Sequence, residues 1–505
     1  MKILNKPILA AVVALAPIMW CGQAVAQSLA PQFTLDSGPA AEIQAEENFV
    51  MQQPAAAYAI PFRPTIDANA YAAAKQAAAA NYSPQAVKPG ALSAVPAGPP
   101  TRVFKNFDAA SDVDGLRPPD THGAVGKTHF VEVTNSHIRM YNKATPPALV
   151  KNVSLATFFG YTTEVIFDPR VVYDSVWNRW IVTAEAFQES NTVQRFFIGI
   201  SKTANPAGAF FIYSVNVTFF SGDFFDFPQL GFDQDAVIFT ANIFHGGFVG
   251  ADEFSIAKAR LYNGLGFSVP VFTGLAGTLA PPIVLDQNAN SFLLAAPPSG
   301  TTFTKYTLTN SSRPNGTALV SSAATVPSYS VPPDAHQSGT TNLLDTSDSR
   351  FVNASTQNGD DLWQTHTIAL GSFPAPKFYR INTSSNTVAQ SGFFFQTGTS
   401  DDWNASITTN TSNNTFVTWS STDANVGVNA QVVFSGKLNG DPGIPAGIVG
   451  VTSPTFYDPS ADTTERWGDY SAVTIDPSAI SKAWLVNEKI NTTSLWGSQI
   501  MQVGF

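Results

Sequence analysis

Acidic side chains recur along this sequence just ahead of short apolar runs. They are Asp120, Asp168, Asp226, Asp348, Asp402 and Asp469. Carboxyl groups held close together raise one another's pKa, and a carboxyl that stays protonated near neutral pH can act as a general acid. Converging carboxylate oxygens also suit a hard cation such as Ca²⁺. An aspartate at such a position can instead hydrogen-bond its own turn and do nothing more. The chemistry therefore depends on how the fold gathers these residues.

Basic and aromatic residues stand beside several of these aspartates. Arginine can orient or neutralise an anion, histidine can exchange a proton near neutral pH, and an aromatic ring can stack on a sugar. We predict a site in which Asp168, Asp226 and Asp469 are the catalytic carboxyls. The predicted substrate-binding residues are Arg170, Arg350, Arg466, His122, Trp467 and Tyr470. If a Ca²⁺ ion is bound, its predicted ligands are Asp120, Asp348 and Asp402.

The apolar runs belong to a unit that repeats along residues 101–505. Each copy has an apolar strand, a tight polar turn and a second apolar or aromatic strand. Two more strand candidates follow most copies, which gives four antiparallel strands per repeat, the content of one β-propeller blade. The copies begin at His122, Arg170, Gln229, Pro281, Arg350, Asn404 and Tyr470. The sequence therefore predicts an all-β fold, a single seven-bladed β-propeller over residues 101–505.

The two ends of the repeat region complement each other. The last copy offers three strand candidates, and residues 101–108 offer a fourth. We expect this N-terminal strand to pair with the last blade and close the ring, because unpaired edges would otherwise remain. In a closed propeller the first strand of each blade lines the central channel. The aspartates ahead of the copies would then form an acidic funnel at its mouth.

The first hundred residues differ from the repeats. Residues 1–26 have a basic start, an apolar stretch and the small residues Ala24 to Ala26, the layout of a cleavable signal peptide. We therefore expect a secreted protein, extracellular or periplasmic, with no membrane span in the mature chain. The single cysteine, Cys21, lies in that segment, so the mature chain would have no disulfide. Residues 27–100 are rich in alanine and proline and are predicted to be a linker, or a pro-segment that masks the propeller.

Charge narrows the choice of partners. The formal net charge is −10, which opposes binding to nucleic acid. Only 13% of the residues are charged while 38 are phenylalanine, a composition that favours strands around a large core. We expect a monomer whose partner is an extracellular glycan or polysaccharide.

Four segments carry a resemblance to known proteins: PPDTHGAVG, FDPRVVYDSVWNRWIV, DFPQLGFD and RWGDYSAVTIDP. They resemble segments of a group of secreted bacterial β-propeller proteins, largely uncharacterised and distantly similar to the sialidase-like propellers. The resemblance covers roughly residues 101–505 and implies the propeller fold. Sialidases hold a carboxylate with three arginines and use a tyrosine and glutamate pair as nucleophile. The resemblance would give the arginine roles to Arg170, Arg350 and Arg466.

Two classes of function follow. The first is a glycoside hydrolase or lyase acting at the acidic funnel, in which a lyase would use His122 or Tyr470 as base. The alternative is a non-catalytic binding or surface module with a structural Ca²⁺ in the channel. Two carboxyl groups about 5 to 10 Å apart beside an open cleft would favour hydrolysis. Carboxylates packed against arginines around a closed centre would favour the structural role.

Overall fold

The structure is a computed structural model that describes residues 27–44, 59–80, 82–90 and 101–505. The predicted signal peptide, residues 1–26, lies outside these ranges. Strands dominate the described residues, so the predicted all-β class is confirmed. The helices in these ranges are short: α1 (Ala68–Ala79), α2 (Leu155–Phe159), α3 (Lys258–Leu261) and a 3-10 turn (Ala424–Val426). None of them has the length and apolar content needed to cross a membrane.

The first strands along the chain belong to sheets that are completed much later. They are β1 (Gln27–Leu29), β2 (Phe33–Ser37), β3 (Ala41–Ile43) and β4 (Arg102–Ser111).

From residue 122 onward the strands form successive antiparallel groups, which we call units and number in chain order. Unit 1 is β5 (His122–Val125), β6 (His129–Val133), β7 (His137–Asn142) and β8 (Leu149–Ser154). Unit 2 is β9 (Ile166–Asp174), β10 (Arg179–Ser190), β11 (Val193–Ser201) and β12 (Phe210–Asn216). Unit 3 is β13 (Phe224–Phe232), β14 (Ala236–Phe244), β15 (Phe248–Ala257) and β16 (Phe267–Leu275).

The second half of the chain continues the pattern. Unit 4 is β17 (Leu279–Ala280), β18 (Pro282–Val284), β19 (Asn290–Ala295), β20 (Gly300–Thr309) and β21 (Ala318–Tyr329). Between units 4 and 5 lies β22 (Leu343–Leu344). Unit 5 is β23 (Ser355–Asn358), β24 (Asp361–Leu370), β25 (Phe373–Asn382) and β26 (Thr387–Phe393). Unit 6 is β27 (Asp401–Thr409), β28 (Thr415–Asp423), β29 (Val428–Lys437) and β30 (Ile448–Thr452). After β31 (Thr464–Glu465), which pairs with β22, unit 7 is β32 (Ala472–Ile475), β33 (Lys482–Thr492) and β34 (Leu495–Gly504).

The N-terminal strands complete or extend these units. Strand β4 pairs antiparallel with β34, from Arg102 opposite Gly504 to Ser111 opposite Gly497, as the sequence predicts for residues 101–108. Strands β3, β2 and β1 add an outer strand to units 2, 3 and 4 by pairing with β12, β16 and β21. Residues 27–43 are therefore hydrogen-bonded to the units, although the sequence predicts a linker there.

The first strands of the units lie side by side. Strand β5 contacts β9, β9 contacts β13, and the series continues through β18, β23, β27 and β32, which contacts β5 again. Strand β18 also pairs in parallel with β13 and β23, so that units 3 to 5 form one hydrogen-bonded sheet. The arrangement is propeller-like.

Apolar clusters fill the spaces between neighbouring units. In β10, Trp180 and Val182 pack toward unit 1 while Ile181 packs toward unit 3. In β33, Trp484 packs toward unit 1 and Leu485 toward unit 6. Successive side chains of a strand point to opposite faces, and here both faces are covered, so the second strands are continuous apolar runs.

Candidate active site at one end of the ring of first strands

Three carboxyl groups meet at one end of the ring of first strands. Asp168 lies in β9, Glu185 in β10 and Asp226 in β13, and one oxygen of each lies within 4.8 Å of the other two. All three side chains are buried. We call these three residues the acidic centre. Asp120 and Asp469 lie beside it, where the backbone N–H of Asp469 donates a 2.6 Å hydrogen bond to Asp120 Oδ1.

A repeated backbone irregularity places residues at the acidic centre. Asp168 has a φ of 51°, and the matching positions Asp120, Phe227 and Asn404 have φ of 49°, 57° and 51°. Aspartate and asparagine adopt this left-handed conformation more readily than most residues. The register of the β13–β14 and β27–β28 pairs shifts at the same place, which identifies a β-bulge. A bulge redirects side chains at the end of a strand.

Burial and mutual repulsion determine the protonation of these carboxyls. Burial raises the pKa of Asp168 well above its usual range, and repulsion from Asp120 and Asp226 raises it further. The pKa of Glu185 is raised for the same reasons, burial first. Burial also raises the pKa of Asp226, but the nearby guanidinium groups of Arg63 and Arg350 oppose this rise. The environments thus favour a proton on Asp168 more strongly than on Asp226.

The acidic centre rests on a layer that separates it from the channel. Tyr470 Oη donates a 2.5 Å hydrogen bond to Asp168 Oδ2. The Arg170 guanidinium lies 3.4 Å from the centroid of the Tyr470 ring and donates hydrogen bonds to the backbone oxygens of Pro228 and Val352. Tyr470 also packs against Phe227. Arg170 is therefore held by the ring and by backbone oxygens rather than left free to grip an anion.

The other two predicted arginines are already paired with carboxylates. Arg350 Nε and Nη2 donate to both oxygens of Asp348 at 2.8 and 3.0 Å. Arg466 donates to Asp345 at 2.7 Å and to Asp469 at 2.8 Å. Each of the two arginines also donates a hydrogen bond to a backbone oxygen of residues 60–63.

Residues 60–63 cover the acidic centre, and we call them the cover. Arg63 Nη1 donates a 3.1 Å hydrogen bond to Asp226 Oδ1, and its guanidinium lies 4.2 Å from the centroid of the Phe224 ring. The backbone oxygen of Arg63 accepts a 2.8 Å hydrogen bond from Arg350, and that of Ile60 accepts one of 3.4 Å from Arg466. The Phe62 ring lies 4.5 and 5.4 Å from these two guanidinium groups.

The chain beyond the cover is attached at a few points. Helix α1 follows with no buried residue, and its Lys75 donates a 2.7 Å hydrogen bond to Asp334. The Tyr82 ring stacks on His336 with 3.6 Å between ring centroids. Lys88 forms an ion pair of 2.8 Å with Asp402, and neither side chain is exposed to solvent.

The structure brings most of the predicted site residues together, but not all. Around the acidic centre lie Asp120, Asp168, Asp226, Asp469, Arg170, Arg350, Arg466 and Tyr470. Trp467 does not reach the opening, because it is 1% exposed and its Nε1 donates to Ser420 Oγ. His122 lines the channel on the other side of Arg170, where its Nδ1 accepts from the backbone N–H of Val171.

The three predicted Ca²⁺ ligands are not gathered around one point. Asp348 is paired with Arg350, Asp402 with Lys88, and Asp120 accepts from Asn135 and from the backbone of Asp469. The carboxyl group that converges with Asp168 and Asp226 is instead Glu185. The recurrence of aspartate ahead of the first strands predicted that these residues lie at one end of the units. It did not predict which basic residue would pair with each of them.

Sequence reasoning missed Glu185 and Arg63. Glu185 is a charged residue inside the apolar second strand of unit 2, and its Oε1 accepts from the backbone N–H of Phe227 at 3.2 Å. Glu488 has the matching role in unit 7, where Oε2 accepts from the Gly468 N–H at 2.7 Å. An acidic residue within an apolar second strand could have been recognised in the sequence as a candidate site residue. Arg63 stands in an alanine- and proline-rich stretch that carries no repeat, so no pattern pointed to it.

The acidic centre fits a hard cation only in part. Ca²⁺ ligands lie about 2.3–2.6 Å from the ion, so oxygens on opposite sides of it are roughly 5 Å apart, as here. Both oxygens of Glu185 already accept hydrogen bonds, from Phe227 N–H and from Gln194, and Asp226 is paired with Arg63. Asp168 Oδ1 is buried and has no hydrogen-bond partner among the described residues.

A cavity of about 300 Å³ lies inside the ring on the far side of Arg170. Its walls combine apolar residues of the first strands, such as Leu230 and Val473, with hydroxyl groups such as those of Thr408 and Ser406. The cavity extends to the turns that follow the first strands, including Asp174. It does not include the three carboxyls of the acidic centre.

Comparisons with known proteins yield only remote structural likenesses. No family model and no curated protein matches the chain. An α-L-arabinanase of Penicillium chrysogenum complexed with arabinobiose has 8% identity and a TM-score of 0.37, with 80% of this chain and 99% of that chain covered. An exo-β-1,3-galactanase of Phanerochaete chrysosporium has 10% identity and a TM-score of 0.29, covering 79% and 96%. The parainfluenza virus 5 hemagglutinin-neuraminidase ectodomain has 10% identity and a TM-score of 0.36, covering 74% and 89%. Overlap at this level does not indicate a shared activity.

Proposed function

We propose that the protein is a secreted carbohydrate-active enzyme, a retaining glycoside hydrolase whose active site is the acidic centre. The observation that carries this proposal is the pair formed by Asp168 and Asp226. Their nearest oxygens lie within 4.8 Å, closer to the roughly 5–5.5 Å between the carboxyls of retaining glycosidases than to the roughly 6.5–9.5 Å of inverting ones. The pKa of Asp168 is raised by burial, whereas arginines keep Asp226 more acidic.

In this mechanism Asp168 is the general acid and Asp226 is the nucleophile. Asp168 protonates the oxygen of the leaving sugar while Asp226 attacks the anomeric carbon, and water later releases the sugar with Asp168 acting as base. Tyr470 holds Asp168 in place through their hydrogen bond, and Glu185 accepts from the backbone at the bulge of β13. These two residues are positioning residues.

The cover must move before a glycan can reach these carboxyls, because Arg63 contacts Asp226 directly. We therefore propose that the state with the cover in place is latent. Residues 27–100 would then be a masking pro-segment rather than a spacer, with the boundary of the catalytic domain at residue 101.

The experiment is a glycan screen with a variant whose cover is weakened. Arg63→Ala is incubated with polysaccharides of varied composition, and released reducing ends are measured. We expect turnover with Arg63→Ala, retention of anomeric configuration by NMR, and loss of turnover on adding Asp168→Asn or Asp226→Asn. The matched control is Arg195→Ala, which removes a partly exposed ion pair with Glu189 in unit 2. A screen in which Arg63→Ala releases nothing would overturn the hydrolase proposal.

The finer architecture is also a proposal. We propose that the units are the blades of one closed seven-bladed propeller, with β4 as the outer strand of the last blade. The contact of β32 with β5 and the shared cluster of Phe130, Trp484 and Val486 support closure. The backbone amides of residues 102–111 that donate to β34 should then exchange hydrogen as slowly as those of residues 495–504. Fast exchange of those β4 amides alone would argue for an open ring.

A second candidate function is a non-catalytic module that binds a divalent cation. The observation that favours it is the convergence of three carboxyls, one of which has an oxygen without a partner. Asp168, Glu185 and Asp226 would then be ligands rather than catalytic groups. Loss of Ca²⁺ binding without any glycan turnover in the variants above would select this candidate.

A further inference from the structure

The cover is bound in the manner of a ligand. Two of its backbone oxygens accept hydrogen bonds from Arg350 and Arg466, and the Phe62 ring lies against both guanidinium groups. The Arg63 guanidinium forms an ion pair with Asp226. Hydroxyl groups of a sugar could accept the same two arginine hydrogen bonds.

The charges of the site indicate what must replace Arg63. Arg350 and Arg466 are paired with other carboxylates, and Arg63 is the one cation that hydrogen-bonds Asp226 among the described residues. Displacing it by a neutral group would leave Asp226 buried without a hydrogen-bonded counter-charge, because Arg350 and Arg466 act on it only from a distance, and this is unfavourable. An anionic sugar would add repulsion to a site that already holds several carboxyls. A cation is the group that fits.

The surroundings of the Arg63 guanidinium also suit a cation. It lies over the face of Phe224 at 4.2 Å while it contacts Asp226, a combination of ring face and carboxylate that attracts ammonium groups as well as guanidinium. The Arg63 side chain is 24% exposed, so an incoming group can reach this position from solvent. Helix α1 has no buried residue, and it contacts the cover through Tyr71, whose ring centroid lies 5.3 Å from that of Phe62.

We infer, on the basis of the proposed hydrolase function, that residues 60–63 occupy the substrate subsite and that Arg63 takes the place of a cationic group of the substrate. The substrate class is then a glycan that contains amino sugars with free amines. A free-amine glycan competes with the cover and displaces it, so the substrate itself relieves the latent state.

The test compares two tetrasaccharides with the same sugar backbone, of which only one is cationic: a β-1,4-linked glucosamine tetramer with free amines and its fully N-acetylated, neutral form. Binding is measured by calorimetry with the native chain, Arg63→Ala, Arg63→Lys and Arg195→Ala. We expect the free-amine tetramer to bind Arg63→Ala about tenfold or more tightly than it binds the native chain, because the competing guanidinium is gone and the cover is held less tightly. Arg63→Lys and Arg195→Ala should resemble the native chain. Adding Asp226→Asn to Arg63→Ala should weaken binding about tenfold or more.

A second measurement uses the native chain alone. Saturating free-amine tetramer should speed hydrogen exchange of residues 59–66, and the acetylated tetramer should leave it unchanged. Equal affinity for the two tetramers, or binding of an arginine peptide but of neither sugar, would overturn the inference. Turnover of a neutral glycan by Arg63→Ala would uphold the hydrolase proposal and refute this substrate class. Preferred binding of the free-amine tetramer without turnover of any glycan would uphold the amino-sugar subsite and refute the hydrolase proposal.

Discussion

Tyr470 donates a 2.5 Å hydrogen bond to Asp168 across the ring, from the segment ahead of β32 to β9. Both side chains are buried, and the bond lowers the pKa of a carboxyl that burial and repulsion raise. The other oxygen of Asp168 has no partner among the described residues. At neutral pH the folded protein must therefore either bind a proton at Asp168 or bury its charge, and either one lowers its stability.

Replacing that carboxyl by an amide should stabilise the protein at neutral pH. Asparagine tolerates the left-handed conformation at residue 168, and its oxygen can still accept from Tyr470. Its NH₂ group would take the place of the unpaired oxygen near Glu185 and Asp226. We expect Asp168→Asn to raise the free energy of unfolding by on the order of 1–3 kcal/mol at pH 7.5, since a tenfold change in proton affinity corresponds to about 1.4 kcal/mol.

The raised pKa of Asp168 also predicts the direction in which the free energy of unfolding changes with pH. The pKa of Asp168 is higher in the folded than in the unfolded state, so the folded state binds more protons in the window between the two values. Stability therefore falls as pH rises through that window, and the asparagine variant lacks this fall. Urea unfolding at pH 4.5 and 7.5 measures it, with the exposed Asp235→Asn as control. A gain at pH 4.5 as large as that at pH 7.5 would refute the electrostatic explanation.

The hydrogen bond itself can be measured by a double-mutant cycle. Tyr470→Phe removes the donor and leaves Asp168 Oδ2 buried without a partner, whereas in the Asp168→Asn background only a neutral hydrogen bond is lost. We expect the coupling free energy between the two positions to rise with pH toward about 1–2 kcal/mol as Asp168 loses its proton, because hydrogen bonds to charged groups contribute about 1.5–3 kcal/mol and neutral ones about 1. Unfolding of the four proteins at a series of pH values from 4.5 upward measures this dependence. Additive effects would mean that Tyr470 acts through packing alone.

Much of the strand pattern could be predicted because it depends on local chemistry. The turn aspartates are an example: Asp174 Oδ1 accepts from the backbone N–H groups of Val176 and Trp177, and Asp233 Oδ1 accepts from those of Asp235 and Ala236. Strands such as β33 appear in the sequence as apolar runs because neighbouring units cover both of their faces. Pairing of β4 with β34 followed from complementary ends.

The site was less predictable, since it depends on which distant residue neutralises which carboxylate. Lys88 and Asp402 are far apart in sequence, and nothing near Lys88 distinguishes it from an ordinary linker lysine. Trp467 looked like a sugar platform, yet it packs against Trp403 inside the protein. A repeat predicts that equivalent positions converge. It does not predict what a non-repeated segment places on top of them.

The buried ion pair of Lys88 and Asp402 should anchor residues 82–90. Lys88→Met leaves Asp402 buried without its cation, although Trp419 Nε1 and Ser400 Oγ still donate to it. Removing one partner of a buried pair costs about 3–5 kcal/mol, so we expect a loss of that order in urea unfolding. Lys202→Met, which breaks the solvent-exposed pair with Glu42, should cost at most about 1 kcal/mol. Equal losses in the two variants would show that Lys88 is not an anchor.

Divalent cations distinguish the two proposed roles of the acidic centre. In the native chain Arg63 is paired with Asp226, so we expect Ca²⁺ or EDTA to leave the melting temperature unchanged. In Arg63→Ala the three carboxyls lose that guanidinium, and millimolar Ca²⁺ should raise the melting temperature because it binds the folded state alone. The added change Asp168→Asn should abolish the rise, while Arg195→Ala should behave as the native chain. A native chain that EDTA destabilises and Ca²⁺ restores would instead identify the centre as a metal site in the presence of Arg63, and Asp168 and Asp226 would be ligands rather than acid and nucleophile.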